Sequence, residues 1–126
     1  AAAVSDYRPA VRAENKIKKE QHDHLNIELT ENPDILYGLG QKKTHQFLVG
    51  FAAETRDVIE YGKAKLAKKN LNLLVANDVA QQGAGFNVST NIAALIYKDG
   101  HIEQYPKMTK DDLGHIIIEK IAEGIN

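Results

Sequence analysis

Residues 47–76 read FLVGFAAETRDVIEYGKAKLAKKNLNLLVA, and the order of patterns in this stretch decides the fold. Phe47 to Ala53 is a continuous apolar run of strand length, closed by Glu54 and Thr55. From Asp57 to Lys69 the period changes. Val58, Ile59, Gly62 and Leu66 share one helical face, while Lys63, Lys65, Lys68 and Lys69 crowd the C-terminal half. Leu71 to Ala76 is a second apolar run, closed by Asn77-Asp78. Runs without polar alternation belong to strands covered on both faces, so this unit predicts two buried strands joined by an amphipathic helix.

Outward toward the C-terminus, a Gly-rich loop (Gly83, Gly85) precedes strands at Asn91 to Tyr97 and Ile102 to Tyr105. Asp99-Gly100 between them is a type I′ hairpin signal. The last helix starts at Thr109, with Asp112 three residues on as a variant capping box. It presents Leu113, Ile116, Ile117 and Ile121 on one face and is expected to stop at Gly124.

Toward the N-terminus, Asn32-Pro33-Asp34 combines an N-cap residue, a first-turn proline and an acid. The helix it opens carries Ile35, Leu36 and Leu39, with Gly38 or Gly40 beginning its end. Asn26 to Leu29 alternates as a short half-exposed strand, and the polar stretch Arg8 to Asp23 reads as a mobile flap. The opening run Ala1 to Val4 leads into Asp6 and Arg8, the pattern of a buried strand carrying polar groups to a sheet edge. A chain beginning in mid-strand without Met is expected to be a processed or truncated piece. The predicted class is α/β: a three-layer Rossmann-like domain, mainly parallel sheet, with a C-terminal antiparallel hairpin.

Composition narrows the chemistry. With 126 residues, a single domain is expected, and a net charge of -1 gives no long-range pull toward nucleic acid or membrane. The absence of Cys removes disulfides, thiolate nucleophiles and Cys-ligated zinc. The five His form no spaced pair on a helix face, and no apolar run approaches a bilayer-spanning length of about 18 residues. A cytoplasmic location is therefore expected.

In open α/β sheets, ligands bind beyond the carboxyl ends of the strands. A parallel sheet gathers Asp6, Glu54-Thr55 and Asn77-Asp78 at one such edge, where Asp6 suits Mg²⁺ or a ribose hydroxyl. Each of these groups also serves as an ordinary cap or turn residue. Lys16, Lys18 and Lys19 flank Ile17, either as a phosphate-contacting flap or as a solvated basic loop. Lys65 and Lys69 share a helix side, either as a two-pronged anion contact or as favourable charge near a helix C-terminus. Gly83-Ala84-Gly85-Phe86 lacks the third glycine of a dinucleotide fingerprint, which disfavours a Rossmann oxidoreductase. Phe47 and Phe51, inside an apolar run, read as core rings.

Five segments then combine. AAAVSDYRPA, NKIKK, ENPDIL, VGFAAET and KAKLAKKNLNLLVANDV, in this order and spacing, resemble phosphopantothenoylcysteine synthetase (phosphopantothenate–cysteine ligase) from Ala1 to about Asn126. This is the ligase domain often fused to phosphopantothenoylcysteine decarboxylase in bacterial coenzyme A synthesis. The resemblance implies activation of 4′-phosphopantothenate by CTP to an acyl-cytidylate with loss of pyrophosphate, after which cysteine displaces CMP. It implies nucleotide contacts at Ala1, Ala2, Asp6, Lys16, Pro33, Asp34, Ile35, Leu36, Phe51, Lys65 and Lys69. Lys16 is the implied catalytic residue, Asp6 the Mg²⁺ ligand, and a homodimer the implied assembly. FMN belongs only to a fused decarboxylase domain that this chain does not contain. Relatives in animals use ATP.

Two features depart from the family pattern. Its Gly-rich N-terminal half, with an Asn-x-Ser-Ser-Gly-Lys segment, has no counterpart in residues 1–126, so the chain reads as the C-terminal portion of the ligase domain, inactive alone. The helix after the first buried strand also carries Lys65 and Lys69 back along the sheet, about 12 to 18 Å from the edge that holds Asp6. A non-catalytic nucleotide-binding α/β module is the alternative function.

Overall fold

The computed structural model describes residues 4–21, 23–80 and 90–126, in two compact units, Ala1–Ile35 and Leu36–Asn126. The first unit is built on strands β1 (Tyr7–Pro9) and β2 (Leu29–Glu31), paired antiparallel with Tyr7 opposite Glu31. A 3-10 turn at Lys19–Gln21 interrupts the loop between them. Asn32 ties this unit together: its amide donates to the Asp6 carbonyl at 2.8 Å and its Nδ2 to the Ser5 carbonyl at 2.7 Å. Its Oδ1 accepts from the Arg8 guanidinium at 3.0 Å.

These contacts correct two expectations. The strand begins at Tyr7, Val4 is exposed, and β1 pairs with β2 outside the four-stranded sheet. Pro9 has no N–H to give a ladder, which suits a short edge strand rather than a buried one. Ala1 and Ala2 lie outside the described residues. Asn32 is not a helix cap, because its side chain is committed to β1; helix α1 runs Ile35–Lys42, straight through Gly38 and Gly40.

The second unit holds a four-stranded sheet in the order β3 (Val49–Glu54), β4 (Leu73–Asp78), β6 (Ala93–Tyr97), β7 (Ile102–Gln104). Strands β3 and β4 are parallel, from Val49 opposite Leu73 to Glu54 opposite Asp78. Strand β6 runs antiparallel to both β4 and β7. Strand β5 (Thr90–Asn91) pairs separately with β8 (Met108–Thr109). The α/β Rossmann-like class holds with a mixed sheet. Helix α2 (Val58–Lys68) is the crossover that returns the chain parallel, whereas the tight β6–β7 loop permits only an antiparallel partner.

That loop contains three residues rather than two. Tyr97 N donates to the His101 carbonyl at 2.9 Å and Gly100 N to the Tyr97 carbonyl at 3.0 Å. Gly100 alone takes positive φ, 92°, as in a turn closed by a bulge; Asp99 keeps negative φ, which a type I′ turn would forbid.

Each sheet face has its own apolar layer. Helix α2 lays Gly62 and Leu66 on Leu74, Ala76 and Ile96, with Val58 and Ile59 alongside. Helix α3 (Lys110–Ile125) lays Leu113 and Ile117 on Leu73, Val75 and Leu95. Thr109 caps α3 as expected, its hydroxyl accepting from Asp112 N at 3.1 Å. Gly124 lies within α3, where the Phe47 ring approaches so closely that a Cβ would sit 2.3 Å from it.

Candidate functional site

The carboxyl edge of the parallel pair collects polar groups, as βαβ geometry requires. Glu54 and Asp78 are register neighbours at the ends of β3 and β4. Helix α2 starts just beyond, after Asp57, whose left-handed backbone (φ 47°) turns the chain from strand into helix. A cleft of about 330 Å³ opens beside this edge, lined by Asp57, Glu60, Asp78, Ala93, Gln104 and Tyr105 among others.

Lys65 reaches the carboxyl end of β3. Its Cα lies well along α2, yet its Nζ reaches the Glu54 carboxylate at 2.5 Å. Side chains on a helix lean toward its N-terminus, and the four-carbon stem adds the remaining span. Lys69 differs. It is the C-cap of α2, at the far end of the helix, with its amide donating to the Lys65 carbonyl at 3.0 Å.

The other sequence candidates divide between the units. In the first unit, the Asn32–Asp6 bond brings the Asp6 main chain beside the Pro33-Asp34-Ile35 segment. Lys16 is exposed on the loop between β1 and β2, and its neighbour Ile17 lines an apolar depression with Val11, Leu25 and Ile27. Leu36 belongs to the second unit and packs on its α2-side core. Phe51 is no core ring: it is 70% exposed on edge strand β3, where Gly50 and Ala52 take the buried positions. Phe47 is the ring that serves the core. Because β1 is not in the four-stranded sheet, sheet order does not gather Asp6 with Glu54 and Asp78. The Gly83–Gly85 loop lies outside the described residues.

One polar cluster has no sequence signal, because its members come from β7, the residues flanking it on both sides, and α3. Glu103 accepts from the Tyr105 hydroxyl at 2.6 Å and pairs with Lys120 at 3.4 Å and with His101 at 3.2 Å. The Tyr105 hydrogen bond holds the Glu103 carboxyl below its ordinary range, and the same bond pushes the Tyr105 phenol up to about 12. Glu103 in turn raises Lys120. Nearby, the Tyr97 hydroxyl is buried with no hydrogen-bond partner among the described residues. At the amino end of the sheet, Lys43 donates to the Asn70 carbonyl at 2.7 Å and to Asn72 Oδ1 at 2.8 Å. Burial, and then Lys98, lower the Lys43 ammonium. This second cation is consumed in joining loop to loop.

Residues 1–125 match the family model described as DNA/pantothenate metabolism flavoprotein C-terminal domain. The chain belongs to that family. It is 49% identical over 121 residues to the coenzyme A biosynthesis bifunctional protein CoaBC of Bacillus subtilis, covering 96% of this chain and 30% of that protein. It is 45% identical over 124 residues to the Escherichia coli K12 protein of the same name, again 96% of this chain and 30% of the relative. The chain thus spans about a third of the curated relatives it matches. A crystal structure of the C-terminal domain of CoaBC superposes with a TM-score of 0.71 at 38% identity, over 95% of this chain and 50% of that one. A DNA/pantothenate metabolism flavoprotein from Streptococcus pneumoniae shares the fold, with a TM-score of 0.69 at 22% identity.

Proposed function

We propose that this chain is part of the ligase of a bifunctional coenzyme A biosynthesis protein, joining 4′-phosphopantothenate to cysteine at the expense of CTP. The observation that carries the reading is the near-complete coverage of the chain by proteins named CoaBC, together with its likeness to the C-terminal domain of one of them. Within that reading, Lys16 stabilises negative charge as it moves from carboxylate and α-phosphate onto leaving pyrophosphate, an electrostatic role needing no proton transfer. Cysteine supplies its own amine, so no enzyme nucleophile is needed. The anchored ammonium of Lys65 and the Pro33–Leu36 turn are the further nucleotide contacts, with Lys69, Phe51, Ala1 and Ala2.

Mg²⁺ fits this arrangement in one specific way. Among the described residues, no three His, Asp or Glu side chains cluster to cage a metal. Asp6 is an exposed single carboxylate, the donor set for an ion that arrives with a triphosphate and keeps its waters. Asp6 would hold the ion, which supplies charge neutralisation of the phosphates. Exposed apolar residues of the first unit, Val11 (81%), Leu25 (56%) and Ile27 (61%), support a second copy as their cover in a homodimer. No described helix is long and apolar enough to cross a membrane, and the proposed location is the cytoplasm.

The test uses the complete protein with 4′-phosphopantothenate, cysteine and CTP. CMP and pyrophosphate formed in step with amide product support the ligase. CTP binding without turnover supports a nucleotide-binding module instead, and neither binding nor turnover overturns both.

A further inference from the structure

We infer that Glu54 is a positioning residue for nucleotide binding, acting through Lys65; this rests on the ligase reading above. Glu54 ends β3, and its side chain is 16% exposed, so its carboxylate is fixed by strand and packing. Lys65 comes from the helix, with its side chain 43% exposed, and its Nζ sits 2.5 Å from that carboxylate. An ion pair this open contributes little to stability. Its consequence is geometric. A free lysine stem samples many rotamers, and fixing one on binding costs affinity. Glu54 removes that cost beforehand by holding the ammonium at the carboxyl end of β3.

One of the three N–H donors faces Glu54 at this distance, which leaves the others for an anion. The carboxylate also lowers the net charge of the site, so an approaching phosphate meets an oriented dipole rather than a bare cation. Glu54 therefore trades some electrostatic attraction for orientation. The orientation term dominates, because Lys65 must reach back along α2 to present its charge at the edge at all.

The experiment compares wild type, Glu54→Gln, Lys65→Met and the double variant in the complete protein, by steady-state ligation at varied CTP. Glu54→Gln is expected to raise the KM for CTP about five- to tenfold with kcat within about twofold, since binding rather than chemistry is affected. In the Lys65→Met background, Glu54→Gln is expected to change nothing further, because the two act as one unit. An unchanged KM in Glu54→Gln, or equal effects of Glu54→Gln with and without Lys65, overturns the positioning role. Should Glu54→Gln fail to fold, Glu54→Asp reads the same coupling, its carboxylate one methylene short of the ammonium. A wild-type protein without CTP-dependent ligation overturns the ligase reading itself; turnover in wild type with an uncoupled Glu54 overturns this inference alone.

Discussion

Gly40 lies directly against the main-chain carbonyl of Lys69: a Cβ built on it would stand 1.9 Å from that oxygen. The Asn70 side chain closes the same junction, its Nδ2 donating to the Gly40 carbonyl at 2.9 Å. Helix α1 and the end of α2 are therefore locked backbone to backbone. Neither partner can give way as a flexible side chain would. Gly40→Ala is expected to destabilise the protein by about 1–3 kcal/mol, the usual cost of overpacking. Urea unfolding of the variant against wild type checks this.

Leu95 is fully buried under α3, with Leu113 and Ile117 in the same cluster. Leu95→Ala removes packed atoms from this layer, which relaxes only partly around the gap, at a cost of about 2–5 kcal/mol. Ile118→Ala, on the exposed side of the same helix, should stay within about 0.5 kcal/mol. A comparable loss at both positions would mean that α3 does not pack as described.

The Tyr105–Glu103 bond predicts a pH dependence with a definite sign. The Tyr105 phenol is pushed up to about 12 by its bond to Glu103, so the folded state holds the phenolic proton more tightly than the unfolded chain. That contribution is fully present below the ordinary tyrosine range near pH 10 and is lost as pH rises toward 12. Glu103 has the opposite sign: its lowered carboxyl contributes above the ordinary glutamate range and loses that contribution as pH falls through the folded value. Tyr105→Phe should flatten the alkaline limb of a stability–pH curve between about pH 10 and 12. An unchanged limb would place the bond elsewhere.

The proposed reaction assigns its chemistry to Lys16 and Asp6, both exposed in the first unit. Lys16→Gln in the complete protein should slow CTP-dependent pyrophosphate release by about 100-fold or more, the scale of losing one electrostatic stabiliser. The circular dichroism spectrum should not change. Asp6→Asn should raise the Mg²⁺ concentration needed for half-maximal rate. Full activity in Lys16→Gln would assign the transition-state charge to another group.

Much of the second unit was legible because its signals are local. The apolar run ending at Glu54, the helical spacing of Val58, Gly62 and Leu66, and the Thr109–Asp112 cap all appear where their periods and residue types put them. The misread segments are those where a short apolar stretch or a polar side chain had two uses. Asn32 looks like a cap, but it hydrogen-bonds Ser5 and Arg8, more than 20 residues away in sequence. Phe51 looks like core until β3 is known to be an edge strand with an open face. Resemblance, rather than periodicity, supplied the candidate site, since Lys16, Lys65 and Lys69 look like ordinary surface charge when taken singly.

Sequence alone determined the α/β class, the two faces of the central layer and the family, because hydrophobic period and motif order are written along the chain. Tertiary structure decided that Lys65 meets Glu54, that Gly40 meets Lys69 and that the sheet is mixed. Those facts depend on which elements become neighbours. Neighbour choice is set by packing between segments distant in sequence, and no local pattern of residues encodes it.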